Sequence, residues 1–506
     1  MADDRGAIVP QIRPSQVTRT FGPGSIYDNE YDSVIVMGLK SWDPFKFKKI
    51  ADPVLLKSIA DKFTNVHDFF STSSFSDSDD KGVIPVQSFP RWGFCPVCQK
   101  LVKDRDGRNG RRKGMFCDSN KSKCEKAEKE RDEPRPRTFP VRFVAACQNG
   151  HLDEFPWYDW VHRRDDGGKD CSENDADMYL LDDGKSLSLK SKKVKCKNCG
   201  RSKELTSALT AKGLKGIING CTKKRPWLGR RSDSSKCVDS EDNPVQMRGI
   251  FKGATNMYFP IVRSAVTIPP FSDELSAVVC KKNKEISRAI KKADGNREKL
   301  AYGLDVIIPL KEDDGTGGEW TLDEILEKRK QINDFEDIKN IDIHEVEFEQ
   351  LNGGKDRTDP EFFTNNIDPS DPPTEFSQFL DKVVMVDKCR VVSAITGFTR
   401  IDAYESDGTS KIATLSDDNY EWLPVVENRG EGIFISFKND VINSWYHGNH
   451  RLEERMDGIS THQGQTIEPK KKDSRHTPKY VFLHTFSHAI IRSLGKQSGY
   501  PVASFS

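Results

Sequence analysis

The 506 residues contain no apolar run that approaches the ~20 needed for a membrane-spanning helix. The opening MADDRGAIVPQIRPSQ also lacks the basic-then-apolar layout of a secretory signal. The expectation is an intracellular, soluble, cytoplasmic protein. No phosphate-binding loop is present, because Gly354-Lys355 and Gly495-Lys496 have neither the upstream glycine nor the following hydroxyl residue. No G-x-S-x-G nucleophile elbow occurs, and no Asp/Glu/Lys nuclease constellation stands out. If the protein takes part in energy-driven work, a partner must hydrolyse the nucleotide. Apolar residues are scarce too, at 35% with a mean hydropathy of −0.67, so much of the length is loop or charged surface.

Cysteine is plentiful. Ten of the twelve lie between Cys95 and Cys237, and only Cys280 and Cys389 fall outside. Reducing compartments keep thiols free, so this clustering points to metal and not to disulfides. FCPVCQK supplies Cys95 and Cys98, and Cys117 and Cys124 follow with C-x6-C spacing. A C-x2-C turn lets two thiolates reach one ion at about 2.3 Å while nearby backbone N–H groups soften their charge. KCKNCGRSK supplies Cys196 and Cys199, with Cys221 and Cys237 as its expected second half. Gly200 stands where such a knuckle needs a left-handed backbone. Two closed four-thiolate zinc sites are therefore expected, structural in kind because neither leaves a position for water.

The stretch AACQNGHLDEFPWYDWVH concentrates unlike chemistries. Cys147, His151, His162 and Cys171 are separated by three, ten and eight residues and can form a third metal set. The rival reading is an aromatic core around Trp157 and Trp160, with His151 serving backbone groups. HLDEF has no second histidine four residues after His151, as a metalloprotease requires, and the pattern does not match a zinc deaminase. Near the C-terminus, His484 and His488 lie one helical turn apart with no glutamate beside them, which favours buried core histidines. Glu427, Arg429 and Glu431 in ENRGEGIF form either a polar network or a contact for a partner or a nucleic-acid backbone.

Charge is divided along the chain. Residues 185–231 carry fifteen Lys/Arg against one carboxylate, Glu204, whereas residues 303–378 carry twenty-one Asp/Glu against seven Lys/Arg. The basic stretch suits a polyanion. Its candidate DNA contacts are Lys190, Lys192, Lys193, Lys195, Lys197, Arg201 and Lys203 around the second knuckle, then Lys223, Lys224 and Arg225.

Turn and apolar signals divide the chain into four parts. An N-terminal α+β segment spans 1–90, with a turn at Gly22-Pro23-Gly24, a strand near 33–37, a helix over 54–63 and a flexible connection at 71–82. The cysteine-rich zinc-binding region covers 91–245, interrupted by polar excursions. A mixed segment spans 246–378, with a strand ending at Pro269-Pro270, an acidic helical stretch at 319–350 and a linker at 352–378. A C-terminal part follows from 379 to 506. Strand-like and helical runs mix without strict βαβ alternation. The fold class is α+β and multi-domain, with an N-terminal zinc-knuckle region inserted in or packed on a mixed α/β body.

Several blocks occur in a recognisable order: RPSQ…FGPGSIYD, CPVC, VRFVAACQNGHLDEFPWYDWVH, CKNCG, GCTKKRPWLG, NMYFPIVRSAVTIPP, TGFTRI, RGEGIF and HTFSHAIIRSL. Together they resemble the DrmB family, the B component of the DISARM anti-phage defence system. The resemblance spans most of the chain, with gaps at the charged insertions. It implies a superfamily-2 helicase subunit (DrmA-like) as partner, recognition of foreign DNA, and zinc held by the family cysteines. It also makes 379–506 a helicase-associated domain, and similar proteins continue past the HTFSH helix. The function expected is a non-enzymatic, zinc-stabilised accessory subunit that helps a helicase bind DNA through its phosphates. The alternatives are a metal-dependent hydrolase centred on His151, Asp153, Glu154 and His162, and a protein scaffold without DNA contact.

Overall fold

The computed structural model describes residues 13–29, 32–71, 84–104, 115–119, 124, 135–163, 171–182, 189–229, 236–311, 316–337, 342–353, 356–370, 374–404, 410–417, 419–463 and 477–499. Most of the 71–82 connection and much of the polar excursions within 103–137 lie outside them. Two compact units emerge, and both are discontinuous in sequence. The first comprises Met1–Glu347, Asp359–Phe362 and Cys389–Gly430; the second comprises Phe348–Thr358, Phe363–Lys388 and Glu431–Ser506.

In the first unit the Gly22-Pro23-Gly24 turn closes through a Ser25 N–H bond to the Gly22 carbonyl (3.0 Å) and leads into the hairpin of strands Ile26–Asp28 and Ser33–Val36. Helix Pro53–Ile59 starts where proline is tolerated and Asp52 caps it, accepting from the Leu55 N–H at 2.8 Å. Strand Phe259–Val266 forms as expected and pairs antiparallel with the second half of Leu380–Thr399. From Arg390 onward nearly every residue of that strand is buried, because both its faces are covered. Strand Trp422–Phe437 lies beside it in the sheet and pairs parallel with Asp68–Ser71 through Trp422–Val425.

The amphipathic helix Glu274–Ala293 is capped by Asp273 and packs against Arg297–Asp305 and Leu322–Asp337, the acidic helix expected near 319–350. Arg297 pairs with one of its acidic residues, Nη2 donating to both carboxylate oxygens of Asp323 at 2.7–2.8 Å. Arg390 bonds Glu427 (2.8 Å) and Thr267 (2.8 Å) with Asp52 at 3.5 Å, and Arg429 grips Glu361 through two bonds. Of the two readings of ENRGEGIF, Glu427 and Arg429 follow the polar network.

Two strands, Arg357–Asp359 and Phe362–Ile367, occupy what the Gly/Asn/Asp/Pro content marked as linker. Phe362 and Thr364 are buried on one face, and pairing with the edge strand Arg357–Asp359 forms a ladder that composition alone conceals. Helix Pro478–Ser498 forms where YVFLHTFSHAIIRSLG predicts it, with Phe482 and Phe486 against Phe437. His484 and His488 are not core residues, however: both are exposed, with rings 4.6 Å apart. The helix buries no residue fully; Phe482 and Phe486 are half-buried, whereas both histidines are exposed.

The mixed architecture is the α+β body expected, and its cysteine-bearing region consists of small sheets. Three-stranded sheets centre on Trp92–Phe94, Phe143–Ala146 and Lys192–Cys196. Between them lies a core of Phe143, Phe155, Trp157, Trp160, Val194 and Met247, so the aromatic packing expected around the two tryptophans is present.

Candidate metal centres

The two C-x2-C turns are built alike. In CPVCQK the Gln99 N–H donates to the Cys95 carbonyl (2.8 Å) and the Cys95 N–H to Lys100 (2.9 Å). In CKNCGR the Gly200 N–H donates to Cys196 (3.0 Å) and the Cys196 N–H to Arg201 (2.8 Å). The residue after the second cysteine has positive φ in both, +64° at Gln99 and +81° at Gly200. Glycine reaches that region freely and glutamine at a modest cost.

A third turn comes from CQNGH. Strand Phe143–Ala146 ends, Gly150 turns at φ +83°, and strand Leu152–Glu154 returns antiparallel. The Gly150 N–H bonds the Cys147 carbonyl and the Cys147 N–H bonds the His151 carbonyl, each at 3.1 Å. Thiol and imidazole thereby face the same way.

All ten clustered cysteines and two histidines gather into three groups of four, in each of which the ligand atoms lie within 4.8 Å of one another: Cys95, Cys98, Cys117 and Cys124; Cys147, His151, Cys221 and Cys237; His162, Cys171, Cys196 and Cys199. The first is the set expected from sequence. The others are re-sorted: the second knuckle takes His162 and Cys171, while Cys221 and Cys237 join Cys147 and His151. Order along the chain suggested a four-thiolate set and a mixed set, but the fold makes two sets of three thiolates and one imidazole. The reason lies in the strands. Cys196 ends the strand that runs antiparallel to Met178–Asp182, seven residues after Cys171, whereas Cys221 is drawn to the CQNGH turn by the Leu152 N–H bond to the Lys224 carbonyl (3.0 Å).

The spacings suit a tetrahedral ion. Bonds of about 2.3 Å to sulfur place two thiolates about 3.8 Å apart, and a thiolate and an imidazole nitrogen about 3.5 Å apart. The Sγ separations are 3.9 Å for Cys95–Cys124, 3.7 Å for Cys98–Cys117, 3.8 Å for Cys147–Cys237, 3.6 Å for Cys147–Cys221 and 3.9 Å for Cys171–Cys196. His151 Nδ1 stands 3.3 Å from Cys147 and 3.4 Å from Cys237, and His162 Nε2 is 3.2 Å from Cys171. A disulfide needs about 2.05 Å, so no such bond is forming.

The surroundings fit thiolates. N–H groups donate to sulfur from Ser119 to Cys117 (3.4 Å), Lys223 to Cys221 (3.3 Å) and Asn149 Nδ2 to Cys237 (3.3 Å). Burial, with the neighbouring sulfurs, pushes the Cys124 and Cys171 thiols up to about 12. Crowded thiols resist ionising together, and a bound cation reverses that resistance.

The tetrad of a metal hydrolase is not assembled. His151 and His162 belong to different groups, Asp153 pairs with Lys224 (3.0 Å), and Glu154 accepts from the Arg91 N–H at 2.6 Å.

Among the candidate DNA contacts, Lys193 is exposed and Lys195 half-buried on the outward face of their strand. Lys192 pairs with Asp182, Lys197 lies 3.8 Å over the Tyr179 ring, and Lys203 lies 4.2 Å over Trp160. Lys224 is held by Asp153, while Arg201, Lys223 and Arg225 are half-buried beside the ligand-bearing turns. The side chain of Lys190 lies outside the described residues. Exposed Lys212 and Lys215 extend the same basic stretch.

The fold and these centres define a protein whose cysteine-rich region consists of small sheets joined by three sets of residues that could each hold a metal ion. Residues 13–259, the part that carries all three sets, match the model of a domain of unknown function, DUF8724. The chain is similar to DISARM protein DrmB of Bacillus paralicheniformis, at 28% identity over 500 residues, covering 94% of this chain and 79% of that protein. The DrmB-like character read from the sequence blocks is thereby shown. No helix among the described residues is long and apolar enough to cross a membrane.

Proposed function

We propose that this protein is a non-enzymatic, zinc-stapled subunit of a DISARM-type anti-phage defence system, in which it accompanies a superfamily-2 helicase (DrmA-like) in the cytoplasm and holds foreign DNA by its phosphate backbone. The similarity to DrmB supports the system. The observation that carries the rest is that ten cysteines and two histidines fall into three four-ligand sets at tetrahedral spacing. Thiolate and imidazole donors favour zinc, and four protein ligands leave no open position for a reacting water. The metals then act on structure. They fix three polar turns that could not bury a core alone, and two of the sets anchor the basic stretch 185–231 as a rigid surface.

Phosphate contacts of this kind carry little sequence preference and weaken steeply with salt. The test uses the full chain with its helicase partner and a random-sequence DNA duplex. Lys193 and Lys195 lie on the strand face opposite Cys196, Lys212 and Lys215 are exposed, and all four are changed to Glu. The expected result is at least a tenfold loss of affinity at low salt and a salt slope shallower by about 3. Unchanged affinity at low salt removes the DNA footprint and favours a scaffold role.

A further inference from the structure

Arg400 is fully buried, yet no carboxylate among the described residues pairs with it. Its guanidinium donates to three carbonyls from distant parts of the chain: Gly24 (2.6 Å), Met257 (2.6 Å) and Gly150 (3.0 Å). The rings of Phe398 and Trp227 flank it, at 4.7 and 5.3 Å. Carbonyls and ring faces accept hydrogen bonds and attract a cation, but they carry no net charge. A buried ion without a counter-charge is strongly disfavoured.

The Gly150 carbonyl belongs to the turn between Cys147 and His151. Three thiolates and one neutral imidazole around a divalent cation carry a net charge of −1. Lys224 beside this turn is taken by Asp153, and Lys223 and Arg225 are only half-buried, so among these cations Arg400 alone is fully buried. We infer that Arg400 is the counter-ion of the Cys147–His151–Cys221–Cys237 metal centre, a positioning residue that makes a neutral buried pair with it. Burial draws the Arg400 guanidinium down to about 10, and the Cys147 thiolate acts in the opposite sense.

The same guanidinium closes the first unit. It ties the metal-bearing turn to the Gly22-Pro23-Gly24 turn and to the strand that ends at Thr399. Both glycine contacts are sterically reserved: a Cβ on Gly24 would fall 2.6 Å from the Phe398 ring, and one on Gly150 would fall 2.5 Å from Ala413. Loading of this one centre is therefore coupled to docking of the N-terminal turn, whereas loading of the other two is not.

The inference rests on the metal reading above, and its test separates the two. Full-length wild type, Arg400→Lys, Arg400→Met and Phe398→Leu are challenged with a graded chromophoric zinc chelator, and cysteine alkylation is mapped by peptide mass spectrometry. R400M should release one ion per chain at a chelator level at least tenfold lower than wild type, with Cys221 and Cys237 alkylated and Cys95, Cys98, Cys196 and Cys199 protected. R400K, which keeps the charge, should recover most of the retention. F398L should lower the melting temperature without selective release. Wild type with three ions and R400M indistinguishable from it, or F398L matching R400M, overturns the counter-ion role alone. Wild type without metal overturns both readings.

Discussion

Tyr158 fixes the tautomer of His162: the backbone carbonyl of Tyr158 lies 2.9 Å from the Nδ1 of His162, and the two rings stack at 4.5 Å. A carbonyl can only accept, so Nδ1 carries the hydrogen and Nε2 keeps its lone pair, aimed towards Cys171. This orientation leaves Nε2 able to bind the ion proposed for the CKNCG knuckle. Cys199→Ser should therefore leave Cys171 and Cys196 open to alkylation while Cys221 and Cys237 stay protected. Labelling of Cys221 and Cys237 instead would restore the grouping suggested by order along the chain.

Elemental analysis of purified protein should give three zinc ions per chain. Two would leave one set as packing only. Stripping the metal should abolish the cooperative melt of the cysteine-bearing region, because the polar segments between ligands bury too little apolar surface to stay ordered. A melt indifferent to strong chelators would contradict the role assigned to all three sets.

Two glycines with similar backbone angles should respond differently to alanine. At Gly200 an added Cβ meets nothing within 4 Å, and Gln99 shows that a side chain is tolerated at the matching position. Gly200→Ala should cost only about 1 kcal/mol and keep its zinc. At Gly150 the Cβ would collide with Ala413, so Gly150→Ala should lose one zinc selectively. Equal zinc retention by the two variants would mean that the CQNGH turn can yield.

Glu154 sets a pH dependence. Burial pushes its carboxyl up to about 7; one oxygen accepts from the Arg91 N–H, and the other is buried without a partner. The folded state thus holds a proton that the unfolded chain releases near its ordinary value of 4.5. Stability falls as pH rises between about 4.5 and 7, and the full cost, at most about 3 kcal/mol, is present above that window. Glu154→Gln should melt higher than wild type at pH 8 and close to it at pH 4.5. A constant difference across that range would remove Glu154 as the source.

The C-x2-C pairs were legible because their chemistry is local: both thiols and the positive-φ residue fall within six residues. The resemblance carried by the long blocks was legible for a similar reason, since each block is a continuous run. The exposure of His484 and His488 was not, because spacing says which residues share a helical face and not which face is covered. The strands at 357–367 were hidden by a loop-like composition that pairing overrode.

Sequence by itself determined that ten thiols would collect in one region, that the turns CPVCQ and CKNCG would each present ligands, and that a basic stretch would surround the second of them. Only the tertiary structure decided which half-site met which, and that a lone arginine near position 400 would close over one of them. Ligand type and turn geometry act over a few bonds, whereas partnership depends on strand pairing between residues as far apart as Cys147 and Cys237, and no spacing rule encodes that choice.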